Sequence, residues 1–354
     1  MVHNERERPA EARNLAYAPK CRSGGCSERG KRRTLEDALV QVDDLSDQLG
    51  SSGAFYGVFD GHDGADAALY AKEHLLSLLL QDPLFSTSVE KAVKKVFLRL
   101  DRDFKEACQR DSSLDSGTTA LIGLLQSRYL SFGEVVLSLL GHHLHRRKHV
   151  ENHELGNVLG IFRHLLVANA GDCRAVLCRR GLAIELSDDH TPLSEGERKR
   201  IESAGGTVTE TEAVGYVNGQ LSVARSIGDW FYDGLKGLKG HCETGPVIAE
   251  PEIRVYELSE EDEFLLLGCD GLWNKISSQT AVQFARNQLM KHNDPKRCSE
   301  ALVQEALMLE ADDNVTVITV CFQTKAPPDI SAETPREPAK IRFNYSRMEH
   351  LVKK

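Results

Sequence analysis

The chain has 354 residues, 27% of them charged and 41% hydrophobic, with a formal net charge of −9. No apolar run approaches the ~18 residues of a membrane-spanning helix, and Met1-Val2-His3-Asn4-Glu5-Arg6 has no apolar segment behind its charges, so neither a span nor a secretory leader is expected. Residues 1–33 carry +5, 127–164 carry +2 and 323–354 carry +3, which leaves −19 for the rest; such an acidic body argues against a nucleic-acid-binding surface and suits a site that gathers carboxylates around cations.

Residues 1–20 are charged, contain Pro9 and Pro19, and show no periodicity, so a flexible N-terminal segment is expected there. Residues 324–354, with Pro327-Pro328, Pro335 and Pro338, read as a flexible tail, and 21–323 as the folded domain. Ala54–Phe59 is a predicted strand stopped by Asp60-Gly61, and Ala65–Leu80 a helix ended by Asp82-Pro83. Val89–Gln109 is a second helix, and Thr119–Leu125 and Leu165–Ala170 are buried strands. Between them, 127–161 fits no element and holds five of the thirteen histidines, His142, His143, His145, His149 and His153. No acid or cysteine anchors them with ligand spacing, so a solvated surface insertion is expected rather than a metal site. A docking loop or retained intron sequence are the alternatives.

Ser194-Glu195-Gly196-Glu197 has the spacing of a capping box, with its helix stopped at Gly205-Gly206. Phe264–Cys269 is a further buried strand, helices follow at Thr280–Lys291 and Lys296–Leu309, and Val315–Phe322 closes as a β-branched strand. The nine cysteines are scattered without a C-x-x-C pair. They read as free thiols of a reducing compartment, and cytoplasm or nucleus is the expected location.

Three acidic turns adjoin predicted buried strands: Asp60-Gly61-His62-Asp63-Gly64, Asp270-Gly271, and Asp312-Asp313-Asn314. An Asp-Gly pair alone is more often a turn than a site. A carboxylate at the end of a buried strand is poorly solvated unless it meets a cation. Three converging at one sheet end would make a hard oxygen site for Mg²⁺ or Mn²⁺.

With these turns stand further motifs: Arg32 with Glu36-Asp37, Ser116-Gly117-Thr118-Thr119-Ala120, Ala168-Asn169-Ala170-Gly171-Asp172, Leu221-Ser222-Val223-Ala224-Arg225-Ser226-Ile227-Gly228-Asp229, and Cys269-Asp270-Gly271-Leu272-Trp273. In this order across 21–323 the sequence resembles the metal-dependent Ser/Thr phosphatases of the protein phosphatase 2C type, most of all the plant-type members.

The resemblance implies an α+β fold, two stacked antiparallel β-sheets flanked by antiparallel helices in four layers. It implies two Mg²⁺ or Mn²⁺ ions, with Asp60 bridging them, the Gly61 carbonyl on the first, and Asp270 and Asp313 on the second. Glu36 and Asp37 would hold metal-bound waters. Arg32 would grip the substrate phosphate in a two-point fork, and His62 would protonate the leaving alkoxide. The reaction implied is hydrolysis of phosphoserine or phosphothreonine in proteins by a hydroxide bridging two metals, with no phosphoenzyme, so Cys269 reads as a packing residue. Phosphoprotein substrates, a role in signal transduction, no membrane or nucleic-acid partner and a monomer are the corresponding expectations.

Two departures stand out. The family usually has Asp where this chain has Asn274; with Asp172 and Asp270 that position serves a third, weaker metal, so a weakened third site and reduced turnover are expected. The other is the 127–161 stretch, where the family usually has a tight hairpin. Both keep open a pseudophosphatase that binds phosphoproteins without turnover. A hydrolase of small phosphoesters would need a closed pocket.

Overall fold

A computed structural model describes residues 21–129, 161–212, 214–237 and 245–329. The segment 1–20, the histidine group 142–153, most of the insertion and the tail beyond 329 lie outside the described residues.

Two five-stranded antiparallel sheets carry the fold. One has the order β13 (Glu252–Glu257), β7 (Ile161–Ala170), β6 (Ala120–Tyr129), β3 (Gly53–Phe59), β2 (Ala38–Val42). The other has the order β1 (Arg22–Glu28), β15 (Val315–Cys321), β14 (Asp262–Gly268), β8 (Arg174–Arg179), β9 (Leu182–Glu185). Side-chain alternation along the strands builds three cores. Ala54, Tyr56 and Val58 of β3 meet Leu265 and Leu267 of β14 and Ile318 and Val320 of β15 between the sheets. Phe55 and Phe59 point the other way, onto α2 (Asp66–Gln81) and α3 (Val89–Arg110) through Leu75, Leu79, Phe97 and Leu100. Phe264 and Leu266 point outward onto α6 (Ser278–His292) and α7 (Pro295–Met308) through Ala285, Leu289, Leu302 and Val303. The continuous apolar run Phe264-Leu265-Leu266-Leu267 follows from this arrangement, because the strand is covered on both faces. The expected four-layer α+β sandwich is the observed one.

Smaller elements complete the chain. The one-turn α1 (Ser46–Leu49) precedes β3, and α4 (Glu195–Ser203), the hairpin β10–β11 (Val208–Thr211, Val214–Val217) and Leu221, Val223 and Leu235 form a separate small core. A short sheet β12–β5–β4 (Ile227–Gly228, Gly117–Thr118, Gly61–His62) lies at the end of the sandwich, and α5 (Asp270–Trp273) follows β14.

The predicted helices and strands fall within a few residues of those observed. Four readings need correction. The capping box at Ser194 does not form: Ser194 Oγ donates to the Thr191 carbonyl at 2.9 Å, and Glu197 is drawn off by Arg200 at 2.8 Å and Arg225 at 2.5 Å. Two guanidinium partners outcompete one backbone amide. The helix does stop as expected, with Gly205 left-handed at φ 82°. The hairpin before the insertion is longer than the sequence suggests, because Ser127, Arg128 and Tyr129 still pair with Arg163, Phe162 and Ile161. The start of the tail is anchored: Asn293 Nδ2 donates to the Thr324 carbonyl at 2.9 Å, and Arg286 donates to the Pro328 carbonyl. Finally, β1, β2, β8, β9 and β13 add to the predicted strands: Arg22-Ser23-Gly24-Gly25-Cys26 of β1 and the charged β13 carry little apolar signal, while β2, β8 and β9 are apolar runs of only 5, 6 and 4 residues.

Among the described residues no helix is long and apolar enough to cross a membrane, and none of the eight described cysteines forms a disulfide.

The inter-sheet core sets a stability expectation. Leu267 is fully buried and Met308 is 71% exposed. Leu267→Ala is expected to cost about 2–5 kcal/mol in urea unfolding, and Met308→Ala less than about 0.5 kcal/mol. Equal effects would contradict the placement of the core.

Candidate active site

The acidic turns converge at one end of the sandwich. Arg32, Asp60, Gly61, His62, Asp172, Asp270 and Asp313 all line one open cleft of about 220 Å³. Asp60 follows β3, Asp172 sits in the β7–β8 turn, Asp270 opens α5 after β14, and Asp313 precedes β15. Four strand ends thus deliver one carboxylate each from distant parts of the chain. Glu36 and Asp37 lie just before β2, against Gly61 and Asp60 respectively.

The backbone around Asp60 is bolted in place. Its carbonyl accepts from Thr119 N at 2.9 Å and from Thr118 Oγ1 at 3.1 Å, and its amide donates to Thr119 Oγ1 at 3.2 Å. Gly61 has to be glycine, since a Cβ there would lie 2.3 Å from the Glu36 carbonyl oxygen. Glu36 closes this contact by accepting from Gly64 N at 3.1 Å and from Thr34 Oγ1 at 2.5 Å. On the opposite side Asn169 Nδ2 donates to the Gly171, Cys173 and Asp188 carbonyls at 2.9–3.0 Å, which fixes the turn carrying Asp172.

The loop bearing Arg32 hangs on one residue. Asn314 Nδ2 donates to the Arg29 carbonyl at 2.8 Å and the Thr34 carbonyl at 3.0 Å, while its Oδ1 accepts from Glu36 N at 2.8 Å. Arg32 Nη2 then meets Asp313 Oδ2 at 2.6 Å, and Lys31 Nζ meets Asp312 Oδ1 at 2.8 Å. The basic run Lys31-Arg32-Arg33 therefore spans an acidic turn 281 residues further on.

Electrostatics decide what the cluster can hold. Desolvation comes first in every case, and neighbouring carboxylates add to it. Asp60 is pushed well above the ordinary carboxylate range by burial and by Asp37, Asp270, Asp172 and Asp313. Asp172 is pushed up to about 8 by burial and then Asp270. Asp270 rises to about 6 by burial and then Asp313, and Asp37 to about 6 by burial against an opposing bond from Thr316. Like charges at such spacing and burial cannot all ionise without a countercharge.

The donor set fits a hard divalent cation. Asp37 Oδ2 accepts from Thr316 Oγ1 at 2.6 Å, while Asp37 Oδ1 is buried with no hydrogen-bond partner. Asp37 and Asp60 each offer an oxygen within 4.8 Å of the other and of Cys269 Sγ. The thiol itself is engaged, donating to the Asn314 carbonyl at 3.4 Å and accepting from Thr316 N at 3.1 Å, and burial pushes it far up. Oxygen ligands remain, as Mg²⁺ and Mn²⁺ require. Asn274 Nδ2 donates to Asp270 Oδ2 at 3.0 Å, so this side chain offers the carboxylate a donor where an Asp would add a charge.

His62 completes the cleft, and its partner went unread in the sequence. Its Nε2 lies 2.7 Å from Oδ1 of Asp229, a fully buried carboxylate. Burial works against the imidazolium, but Asp229 outweighs it and raises the proton affinity of His62. Burial likewise opposes the charge on Asp229, yet His62, Lys236 and the Ser226 hydroxyl hold its carboxyl below the ordinary range. Asp229 stands in a quoted motif, but nothing in a sequence pairs residues 167 apart. Asn314 and Asn169 were likewise legible only as motif letters. Leu221, Ser222 and Val223 of the motif that carries Asp229 form a further cleft wall with Tyr216, Gln220 and Tyr232, which carry no sequence signature.

Known proteins agree with this geometry. The sequence profile described as Protein phosphatase 2C matches residues 21–135 and 157–315. The chain is 44% identical over 334 residues to probable protein phosphatase 2C 22 of Arabidopsis thaliana, covering 93% of this chain and 75% of that protein. It is 46% identical over 319 residues to probable protein phosphatase 2C 27 of the same plant, covering 88% and 71%. A phosphatase from a pathogenic strain of Toxoplasma gondii shares the fold at a TM-score of 0.67 and 23% identity, over 87% of this chain and 94% of that one. With the aspartates, His62 and Arg32 gathered in one cleft and most of the chain matched at this level, the protein belongs to the protein phosphatase 2C family.

Proposed function

We propose that this protein is a metal-dependent Ser/Thr phosphatase that hydrolyses phosphoserine and phosphothreonine in proteins, with Mg²⁺ or Mn²⁺ held as a pair. The observation that carries the reading is the convergence of Asp60, Asp172, Asp270 and Asp313 in one cleft with Arg32 and His62. In this reading Asp60 would serve both ions, the Gly61 carbonyl the first, and Asp270 and Asp313 the second. Asp37, with its unpartnered buried Oδ1, and Glu36 would hold waters around them. Asp172 and Asp270, the latter bonded by Asn274, would hold a third, weaker ion.

When bound, a pair of divalent cations supplies a water of lowered pKa and positive charge against the phosphoryl oxygens. The chain supplies the rest. Arg32 is 58% exposed at the cleft and can turn its guanidinium fork from Asp313 to two phosphoryl oxygens. Asn314 keeps the Arg32 loop over the cleft while it does so. His62 holds a proton where the seryl or threonyl oxygen departs. The cleft is open to solvent, which favours a side chain presented on a protein surface over an enclosed small ester.

Activity is the direct check. With Mn²⁺ the protein should release phosphate from a phosphothreonine peptide. EDTA should abolish the release, and Asp60→Asn should lower it on the order of 100-fold or more. A folded, metal-loaded protein that releases none would overturn the reading.

The raised carboxyls give a pH expectation. Asp37, Asp172 and Asp270 hold protons in the folded state up to about 6, 8 and 6. The folded protein therefore binds more protons than the unfolded chain above about pH 4, and stability falls as pH rises through those values. In EDTA the melting temperature should drop from about pH 5 to about pH 8, and Mg²⁺ should raise it more at the higher pH. A Mg²⁺ gain that is the same at both would count against a cation-compensated cluster.

Asn274→Asp should lower the Mn²⁺ concentration needed for half-maximal activity and raise turnover several-fold. Unchanged metal dependence would show that position 274 does not limit this enzyme.

A further inference from the structure

His62 and Asp229 reach each other across a three-stranded sheet whose middle residue has no side chain. In β12–β5–β4, Gly117 is paired with His62 on one side and Gly228 on the other. A Cβ on Gly117 would lie 2.3 Å from His62 Nε2 and 2.2 Å from Asp229 Oδ1. The glycine is the gap through which the two side chains meet. Asp229 itself adopts a left-handed backbone, φ 61°, directly after Gly228 at φ 93°. A non-glycine residue held there calls for surroundings that over-determine it.

Those surroundings are a buried network aimed at one carboxylate. Asp229 Oδ2 accepts from Ser226 Oγ at 2.5 Å, and Asp229 N donates to the Ser116 carbonyl at 3.2 Å. Lys236, whose side chain is only 3% exposed, donates to the Ser226 carbonyl at 2.6 Å and to Asp101 Oδ1 at 3.3 Å. Asp101 Oδ1 also accepts from Gly228 N at 2.8 Å. The Asp229 carboxylate is thus fixed at both oxygens, and an ionised carboxylate only accepts. The proton between it and His62 belongs to Nε2. Among the described residues Nδ1 of His62 has no hydrogen-bond partner, and the ring is 24% exposed in the cleft.

We propose that Asp229 is a positioning residue for His62: by holding Nε2–H it leaves Nδ1 as the nitrogen presented to the departing oxygen of the substrate. The inference rests on the phosphatase reading. In the step it serves, water oxygen bonds to phosphorus and releases one proton to solvent, and the bond from phosphorus to the seryl or threonyl oxygen breaks, leaving its electron pair on that oxygen. The proton on Nδ1 moves there and gives the free alcohol. The imidazole is left neutral with Nε2–H still on Asp229, and it takes its next proton from solvent. Asp229 touches neither substrate nor reacting atoms.

The test compares two esters under identical Mn²⁺ conditions. A phosphothreonine peptide needs a proton on its leaving oxygen, whereas p-nitrophenyl phosphate releases a stable phenolate. Asp229→Asn should lower kcat on the peptide by about 10- to 100-fold and change kcat on the aryl ester little. In histidine-¹⁵N NMR, the His62 Nε2–H signature of the wild type should be lost or shifted in the variant. Ser226→Ala, which leaves both partners in place, should show the same selectivity at smaller size and serves if Asp229→Asn does not fold. Equal losses on both esters would show a merely structural residue and overturn the proposal, as would full activity of the variant on the peptide. Should the wild type itself act on neither ester, the phosphatase reading falls, and this inference with it; that outcome is distinct because the unmutated protein is silent.

Discussion

The structure turns on a crowding of like charge. Asp37, Asp60, Asp172, Asp270 and Asp313 meet at one end of a β-sandwich, where burial and mutual repulsion raise the proton affinity of the first four. A fold does not assemble carboxylates in this way without a compensating cation. Much of the local architecture keeps the cluster from relaxing. The Thr118 and Thr119 bonds to the Asp60 backbone, the Asn169 amide under the Asp172 turn and the Thr316 hydroxyl on Asp37 all fix the acids rather than neutralise them. Arg32 and Lys31 bring the positive charge, on a loop suspended from Asn314.

The sandwich makes this possible because it is held on three apolar levels. Strands buried on both faces can be rigid up to their last residue, and the acids sit just beyond that residue. Phe59 is packed among the helices α2 and α3, and Asp60 follows it into the cleft. Gly268 ends β14, Cys269 is buried between the sheets, and Asp270 follows. Rigid strand ends place oxygen ligands more accurately than loops can. The cleft wall from Tyr216 to Tyr232 belongs instead to the smaller layer around α4, so chemistry and part of the approach surface rest on different supports.

Most long elements were legible in the sequence, for a physical reason. Val89–Arg110 alternates apolar and charged residues with helical period, and Val315–Cys321 is nearly all β-branched. The edge strand β13 was not legible, since a strand with residues such as Glu252, Arg254 and Glu257 carries a weak apolar signal, and β2 and β9 are apolar runs too short to stand out. The Ser194 capping box shows the opposite failure. A correct local pattern lost to tertiary partners, because Arg200 and Arg225 reach Glu197 with full charge.

The sequence by itself determined the set of candidate site residues. Ordered motifs carried Arg32, Glu36, Asp37, Asp60, His62, Asp172, Asp270 and Asp313, and the structure brings the cleft members among them together. Local patterns could name these residues because turns and strand ends are short-range features. Only the tertiary structure decided which atoms face which. It set Asp229 against His62 across Gly117, left Asp37 Oδ1 without a partner, and turned the Asn274 amide onto Asp270. Those are contacts between segments far apart in the chain, and their distances are fixed by how the two sheets and their helices pack, which no local pattern encodes.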